Sequence, residues 1–297
     1  LGDVRIKMNS VYGAVLPSKV FSKTYNVLPI LAYTTLVLKR EWHCYGVNDM
    51  KRLYYYLNNI PYETDFNLNC ADTYEDLHYA LNRLLTSTKA ALDIETTGTE
   101  FYKDEIMGIG FALSNKEAFY IPILNYKDDK VVRFWDKKTE DIIKEDLSKY
   151  LTNETLKIAY NGQFDFKFLR KYAGINRINN FSFDSMLASH LLNENLNGMR
   201  RLKEVTLLCT NMGGYACEQN TYKRENKLSE DDFVHIPLNI LSRYCMLDTI
   251  ATFKLYETFD KELQDKNLKK VFNTITMPLS NTLMEIESPG VNLDQNS

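Results

Sequence analysis

Two carboxylates, Asp93 and Glu95, stand two residues apart after the apolar run 90–92, and the stretch 96–98 then breaks the strand. Because side chains alternate faces along a strand, these two acids point the same way. Their charges repel each other, and a bound cation would remove that cost. The pattern indicates either a metal site or an exposed strand end, and taken alone it favours the exposed end.

Two more acids stand in patterned segments further along the chain. Asp165 falls in the first turn of a helix predicted after a short apolar strand, where a negative charge complements the helix dipole. Asp248 follows Tyr244 by four residues, so the two share a helix face. A carboxylate on an apolar face needs a partner, which a hydrogen bond from Tyr244 inside the core would supply. Each motif therefore has an ordinary structural explanation.

Together the motifs are more specific than any one of them. Four carboxylates and a tyrosine suit a hydrolytic site holding two hard cations about 3.5–4 Å apart. One cation would activate a water and the other would stabilise the leaving oxygen, while Tyr244 could orient the water. Such a site requires no histidine, and the histidines lie outside the motifs: His43, His78, His190 and His235.

The elements that must position these acids follow from the periodicity of apolar residues. Asp72 can cap a helix that runs through Leu85. Strands are predicted at 89–95, 106–113, 118–123 and 156–160, with 181–184 leading into a helix. Helices are predicted at 136–151, 163–172, 202–209, 238–264 and 268–287. This order predicts an α/β fold, with a mixed sheet and helices on both sides.

Composition sets further bounds. The 297 residues suffice for one large domain or two smaller ones. With 36 basic and 39 acidic residues, the net charge of −3 excludes attachment to nucleic acid through bulk positive charge. The net charge does not exclude a local cleft that binds nucleic acid through metal ions. The five cysteines lack C-x-x-C spacing, which argues against a disulfide framework or a zinc site and predicts a reducing compartment.

The apolar run 27–38 is too short to span a bilayer. Pro29 interrupts it and no small-residue cleavage site follows, so it does not suit a signal peptide. We expect a buried strand or helix there, no membrane association and a cytoplasmic location.

Asp-x-Glu, Asn-x-x-Phe-Asp and Tyr-x-x-x-Asp, in this order and spacing, resemble the DEDD exonucleases of the Tyr subclass. This resemblance implies a ribonuclease-H-like mixed sheet flanked by helices. The likeness is greatest to the 3′–5′ proofreading domain of family A DNA polymerases, the bacterial DNA polymerase I type. It covers roughly 72–294, and the segments 156–161, 183–187, 271–279 and 286–294 share it.

The resemblance assigns roles residue by residue. Asp93, Glu95, Asp165 and Asp248 would be catalytic ligands of two Mg²⁺ or Mn²⁺ ions, and Tyr244 would position the nucleophile. The residues expected at the bound strand end are Asn161, Thr96, Thr99, Phe101 and Phe164.

One position departs from the family. Thr99 stands where members usually carry a leucine wedged against the terminal bases, and Phe101 is a candidate replacement through base stacking. Arg200, Arg201 and Lys203 are candidates for phosphate contacts, although a solvated helix face is the favoured interpretation of such a charge run.

We expect three regions: an N-terminal extension of unknown role at 1–70, an exonuclease domain at 71–267, and a helix leading to the start of a polymerase domain at 268–297. The extension is expected to pack on the exonuclease. Within it, the segment 9–13 resembles a short family B polymerase motif, which we take as coincidence, and Trp42, His43 and Cys44 are expected to be core residues rather than ligands.

The predicted activity is Mg²⁺- or Mn²⁺-dependent removal of 3′-terminal nucleotides from single-stranded DNA, releasing nucleoside 5′-monophosphates. The partner would be a DNA polymerase domain, in cis or in trans, in a bacterial or phage-infected cell. The chain begins at Leu1 and stops at Ser297, which suggests a piece of a longer protein. One alternative is an RNA-processing exonuclease, against which the polymerase-like tail argues. Another is a non-catalytic module, against which the intact acidic motifs argue.

Overall fold

A computed structural model of the chain describes residues 16–20, 22–30, 32–38, 43–59, 63, 65–194, 201–212 and 215–288. Its strands are β1 (Leu16–Val20), β2 (Lys23–Val27), β3 (Asn67–Cys70), β4 (Lys89–Thr96), β5 (Ile106–Ala112), β6 (Glu117–Pro122), β7 (Leu124–Lys127), β8 (Lys130–Arg133), β9 (Leu156–Ala159) and β10 (Phe181–Asp184). Its helices are α1 (Tyr33–Leu38), α2 (His43–Leu57), α3 (Tyr74–Leu85), α4 (Lys137–Thr152), α5 (Gly162–Ala173), α6 (Ser185–Leu192), α7 (Leu202–Cys209), α8 (Cys217–Glu225), α9 (Leu238–Asp265), α10 (Lys269–Val271) and α11 (Met277–Glu287).

Six strands form the central sheet in the order β10-β9-β4-β5-β6-β3. β10, β9 and β4 are mutually parallel, β5 is antiparallel to both β4 and β6, and β3 runs parallel to β6. The strands predicted at 106–113 and 118–123 are present as β5 and β6, which pair as an antiparallel hairpin. The expected mixed α/β sheet is confirmed.

Helices cover both faces of this sheet. The long helix α9 packs against β4, β5 and β6, with α6, α7 and α8 beside it. α3, α4 and α5 form a second set, in which α3 contacts β6 and α5 contacts β4. Every residue of β5 is buried, as expected for a strand covered on both sides. The acids of β4 thus lie where the sheet meets α9.

Local capping explains three helix ends near the site and the sheet. The Asp136 carboxylate accepts a hydrogen bond from the Thr139 backbone N–H at 3.0 Å, so α4 begins where the sequence predicted. Thr73, not Asp72, caps α3, because its hydroxyl accepts from the Asp76 N–H at 3.2 Å. Gly174 ends α5 in the left-handed region with φ of 68°.

The run 27–38 does not form the buried element that we predicted. It contains the end of β2, a loop and α1, and Tyr33 and Leu38 are 79% and 83% exposed. Pro29 lies between the two elements, and a residue without an N–H cannot continue a paired strand. The apolar character of this run therefore does not reflect core packing.

The predicted helix 268–287 is interrupted. Between α10 and α11 the segment Phe272–Thr276 is a π-helix. Pro278 follows in the first turn of α11. Its ring and missing N–H prevent an ordinary hydrogen bond to the carbonyl four residues earlier, which accounts for the local widening of the helix.

The N-terminal region contacts the main body through polar groups. The Arg52 guanidinium donates to the carbonyls of Leu207 at 2.8 Å and Met212 at 3.3 Å, and Lys254 pairs with Glu63. β3, which we placed in the extension, pairs with β6 in the central sheet. The predicted boundaries between the three regions, at 70/71 and 267/268, stay predictions.

The segment 9–13, Arg200 and Trp42, with the side chains of His43 and Cys44, lie outside the described residues. Over the ranges that the structure does describe, no helix combines the length and apolarity needed to cross a membrane.

Candidate active site

The first acidic motif lies on β4, opposite α9. Glu95 is buried and Asp93 is half-buried. On the neighbouring strand Gly110 faces Asp93, and a Cβ at Gly110 would lie 2.6 Å from the Cys245 sulfur of α9. Only glycine leaves room for such a close approach of helix and strand. The approach brings Asp248, one turn further along α9, to the same cleft.

The second motif is positioned by a turn between β9 and α5. Asn161 adopts left-handed geometry with φ of 62°, and α5 starts at the next residue. The buried Asp184 carboxylate accepts from the backbone N–H groups of Asn161 at 3.1 Å and Gly162 at 2.8 Å. The turn is therefore held by a carboxylate from β10. It places Asp165 in the first turn of α5.

The four predicted acids meet in one cleft. Glu95, Asp165 and Asp248 are each at most 5% exposed. Burial raises the pKa of Asp93 well above its usual range, and the nearby charges of Asp165, Asp248 and Glu95 raise it further. Burial and the charge of Asp248 likewise raise the pKa of Glu95. Carboxylates that repel one another away from water are a donor set that divalent cations favour.

Asp165 and Asp248 have partners that lower the carboxyl pKa and so oppose the effect of burial. Burial raises the pKa of Asp165 to about 8, and a hydrogen bond from the Ile94 N–H lowers it in part. Burial also raises the pKa of Asp248, while the positive charge of Lys203 and hydrogen bonds from Tyr215 and Tyr244 act in the opposite direction.

Tyr244 lies beside these acids and is 6% exposed. The Lys203 ammonium donates a hydrogen bond to its hydroxyl and sits 4.4 Å from its ring centroid. Lys203 and Arg201 are both exposed, as the favoured interpretation of a solvated helix face predicts, and the Lys203 ammonium in addition contacts Tyr244. The side chains of Asp248 and Tyr244 share one helix face, as the spacing predicted.

Two residues of the cleft escaped the sequence analysis. The Tyr215 hydroxyl donates to Asp248 Oδ1 at 2.6 Å. No local pattern marks Tyr215, because it reaches the cleft from the segment between α7 and α8. The Cys245 thiol lies 3.5 Å from Asp93 Oδ2. Its position next to Tyr244 is the signal in the sequence that marks it, since its spacing from the other cysteines indicates neither a disulfide nor a zinc site.

The residues predicted at the strand end differ in exposure. The Thr96 side chain is buried, and its hydroxyl donates to the Gly98 carbonyl at 2.7 Å. Thr99 and Asn161 are exposed. Phe101 and Phe164 are half-buried and meet through Phe168, at centroid distances of 5.9 and 5.0 Å respectively. Phe101 thus has one part of its ring packed on protein and another accessible.

The raised carboxyl pKa values predict a pH-dependent stability. The unfolded acids lose their protons near pH 4, whereas Asp165 in the folded chain keeps its proton to about pH 8. Because the folded state then binds more protons than the unfolded state, stability without metal falls as pH rises from about 4 to about 8. We expect the Tm in a chelator to be lower at about pH 8 than at about pH 5. Mg²⁺ or Mn²⁺ should raise the Tm more at the higher pH.

The control for this prediction is Asp165→Asn, which removes one titrating acid and should flatten the pH dependence of the Tm. A metal-free Tm that rises over this interval, or a metal effect independent of pH, would contradict the expectation.

A mixed sheet covered on both faces, with four acids of β4, α5 and α9 in one cleft, defines the ribonuclease-H-like exonucleases. Solved structures with a similar fold include Brucella melitensis NrnC, with a TM-score of 0.52 and 16% identity over 79% of this chain and 100% of that chain. Another is the POL domain of Pol1 from M. smegmatis in complex with DNA primer-template and dNTP. It has a TM-score of 0.51 and 15% identity over 76% of this chain and 33% of that chain. At these identities the likeness shows the fold alone.

The family itself is shown by sequence. The model of the 3′–5′ exonuclease family found in DNA polymerases of family A matches residues 68–264, and the chain belongs to that family. The resemblance identified from the motifs is confirmed.

The similar curated proteins are DNA polymerases. DNA polymerase I of Borreliella burgdorferi is 29% identical over 221 residues, covering 72% of this chain and 22% of that protein. DNA polymerase DpoZ of Acinetobacter phage SH-Ab 15497 is 25% identical over 215 residues, covering 69% and 31% respectively. The chain spans less than a third of the length of these relatives.

Proposed function

We propose that this chain removes nucleotides from the 3′ end of single-stranded DNA by two-metal hydrolysis, as the proofreading part of a family A DNA polymerase. One observation carries the proposal: four carboxylates meet in a largely buried cleft at a cost that bound cations would remove. Proofreading in cis or in trans with a polymerase domain is consistent with relatives that are DNA polymerases.

The donor set suits Mg²⁺ or Mn²⁺. Asp93, Glu95, Asp165 and Asp248 supply carboxylate oxygens, the ligands that these hard cations prefer. When bound, two such ions would activate a water and neutralise charge on the leaving oxygen, giving a nucleoside 5′-monophosphate. We assign the metal-holding role to these four acids on the strength of the donor chemistry and the family motifs.

Tyr244 is assigned the positioning of the attacking water. Its hydroxyl is held by the Lys203 ammonium, so its orientation is set before substrate binds. Tyr215 holds Asp248 in the same way, by a hydrogen bond to one carboxylate oxygen. Neither of these two hydrogen bonds involves a histidine.

The 3′ end is assigned to the side of the cleft formed by Asn161, Thr96, Thr99, Phe101 and Phe164. The accessible parts of the two phenylalanine rings offer faces for base stacking, which does not depend on sequence. Phe101 would serve where related enzymes carry a leucine. The exposed Asn161 side chain is free of a helix-capping hydrogen bond and offers an amide to the strand end.

A labelled single-stranded oligonucleotide tests this function. We expect shortening from the 3′ end with Mg²⁺ or Mn²⁺, release of nucleoside 5′-monophosphates, and no reaction in a chelator. The matched control is an oligonucleotide of the same sequence in RNA. Faster cleavage of RNA than of DNA would favour an RNA-processing exonuclease, and no cleavage of either with both metals would favour a non-catalytic module.

A further inference from the structure

A sulfur atom lies within the acidic cleft. Cys245 is fully buried on α9, next to Tyr244. Three possible ligand atoms lie within 4.8 Å of one another, one from each of Asp93, Glu95 and Cys245. The sulfur lies against Gly110 of β5, where a Cβ would approach it to 2.6 Å. The thiol contacts Asp93, at 3.5 Å from its Oδ2 and 3.8 Å from its backbone carbonyl oxygen.

The spacing of sulfur and oxygen suits one shared cation. A tetrahedral zinc ion bonds sulfur at about 2.3 Å and oxygen at about 2.0–2.2 Å, which separates those two ligand atoms by about 3.6 Å. The Cys245 sulfur lies 3.5 Å from Asp93 Oδ2. Mg²⁺ gains little from a sulfur ligand, whereas thiolate is a preferred ligand of softer cations.

We propose that Cys245, with Asp93 and Glu95, makes a mixed oxygen–sulfur site that binds thiophilic divalent cations such as Zn²⁺ and Cd²⁺. This inference rests on the proposed function, since two of its ligands are the acids assigned there to Mg²⁺ or Mn²⁺. On binding, the S–H bond of Cys245 breaks, a sulfur–metal bond forms and the proton passes to water. Thiophilic and hard cations then compete for the same two carboxylates.

Cadmium titration followed by ultraviolet absorption tests the sulfur ligand directly, because a cadmium–thiolate bond has its own charge-transfer band. We expect the wild-type chain to develop this band on addition of Cd²⁺. Cys245→Ser should abolish this band, because it removes the thiolate of the proposed site. Cys209→Ser, which alters a half-buried cysteine of α7, should leave the titration unchanged.

A second variant separates ligand loss from misfolding. Glu95→Gln keeps the cysteine and removes one charged oxygen ligand, so it should also weaken the cadmium band while circular dichroism shows the wild-type fold. Absence of the band in the wild-type chain, or equal titrations for wild type and Cys245→Ser, would overturn the inference.

The two proposals can fail separately. A wild-type chain that cleaves DNA with Mg²⁺ but gives no cadmium–thiolate band refutes only the sulfur site. A chain that gives the band but cleaves no nucleic acid with Mg²⁺ or Mn²⁺ refutes the proposed function and supports the sulfur ligand.

Discussion

Replacing Asp93 or Asp248 with alanine is expected to reduce the rate of 3′-terminal cleavage by about 1,000-fold or more, equivalent to about 4 kcal/mol of transition-state stabilisation. Each acid would supply oxygen ligands to the ions that carry the chemistry, and a metal ion contributes several kcal/mol to such a transition state. The measurement is single-turnover cleavage of a labelled single-stranded oligonucleotide with saturating Mg²⁺.

The Asp93→Ala variant should not lose stability in the absence of metal. Burial and the surrounding charges raise the pKa of Asp93, which means that its charged form is disfavoured in the folded chain. Removing it relieves that cost, so the metal-free Tm should stay the same or rise. Asp141→Ala is the matched control, because Asp141 is an exposed acid of α4 paired with Lys137. Wild-type cleavage by both Asp93→Ala and Asp248→Ala would disprove the site assignment.

Asp184→Ala, in contrast to Asp93→Ala, is expected to lower the free energy of unfolding, by about 4 kcal/mol. The Asp184 side chain is almost fully buried and accepts from the backbone N–H groups of four residues: Asn161, Gly162, Met186 and Leu187. Each buried donor left without an acceptor costs about 1–3 kcal/mol, less whatever relaxation recovers. Chemical denaturation at neutral pH measures the change.

Asp184→Asn provides a graded comparison. Its remaining carbonyl oxygen can keep the three bonds made by Oδ1, so we expect a smaller loss than with alanine. Cleavage should fall in both variants, because the turn held by Asp184 sets the start of α5 and hence the position of Asp165. An unfolding free energy equal to that of wild type for Asp184→Ala would show that the turn is held by other groups.

The fold was predictable where the local pattern of apolar residues indicates an element. Apolar periodicity located β4, β5, β6, α4 and α9 to within a few residues, because each of these elements buries one regular face or stripe. Where burial does not follow hydrophobicity the prediction failed, as in the run 27–38, where Ile30, Tyr33, Val37 and Leu38 are exposed. The edge strand β3 was missed because four residues give too short a pattern.

The sequence by itself determined the class of protein and the acids that suit a metal site. Those features depend on residue types at short spacing: two acids on one strand face, an acid in a first helical turn, and a tyrosine and an acid one turn apart. Their local geometry is set by backbone conformation alone. The order of the motifs along the chain was sufficient to identify the family.

Only the tertiary structure decided which other groups surround those acids. Lys203 comes from α7, Tyr215 from the segment after it, and the Cys245 sulfur approaches Asp93 because Gly110 on β5 leaves the space. These contacts join residues 33 to 152 positions apart. Distances of this kind are set by how α9 and its neighbouring helices pack on the sheet, and no local periodicity records that packing.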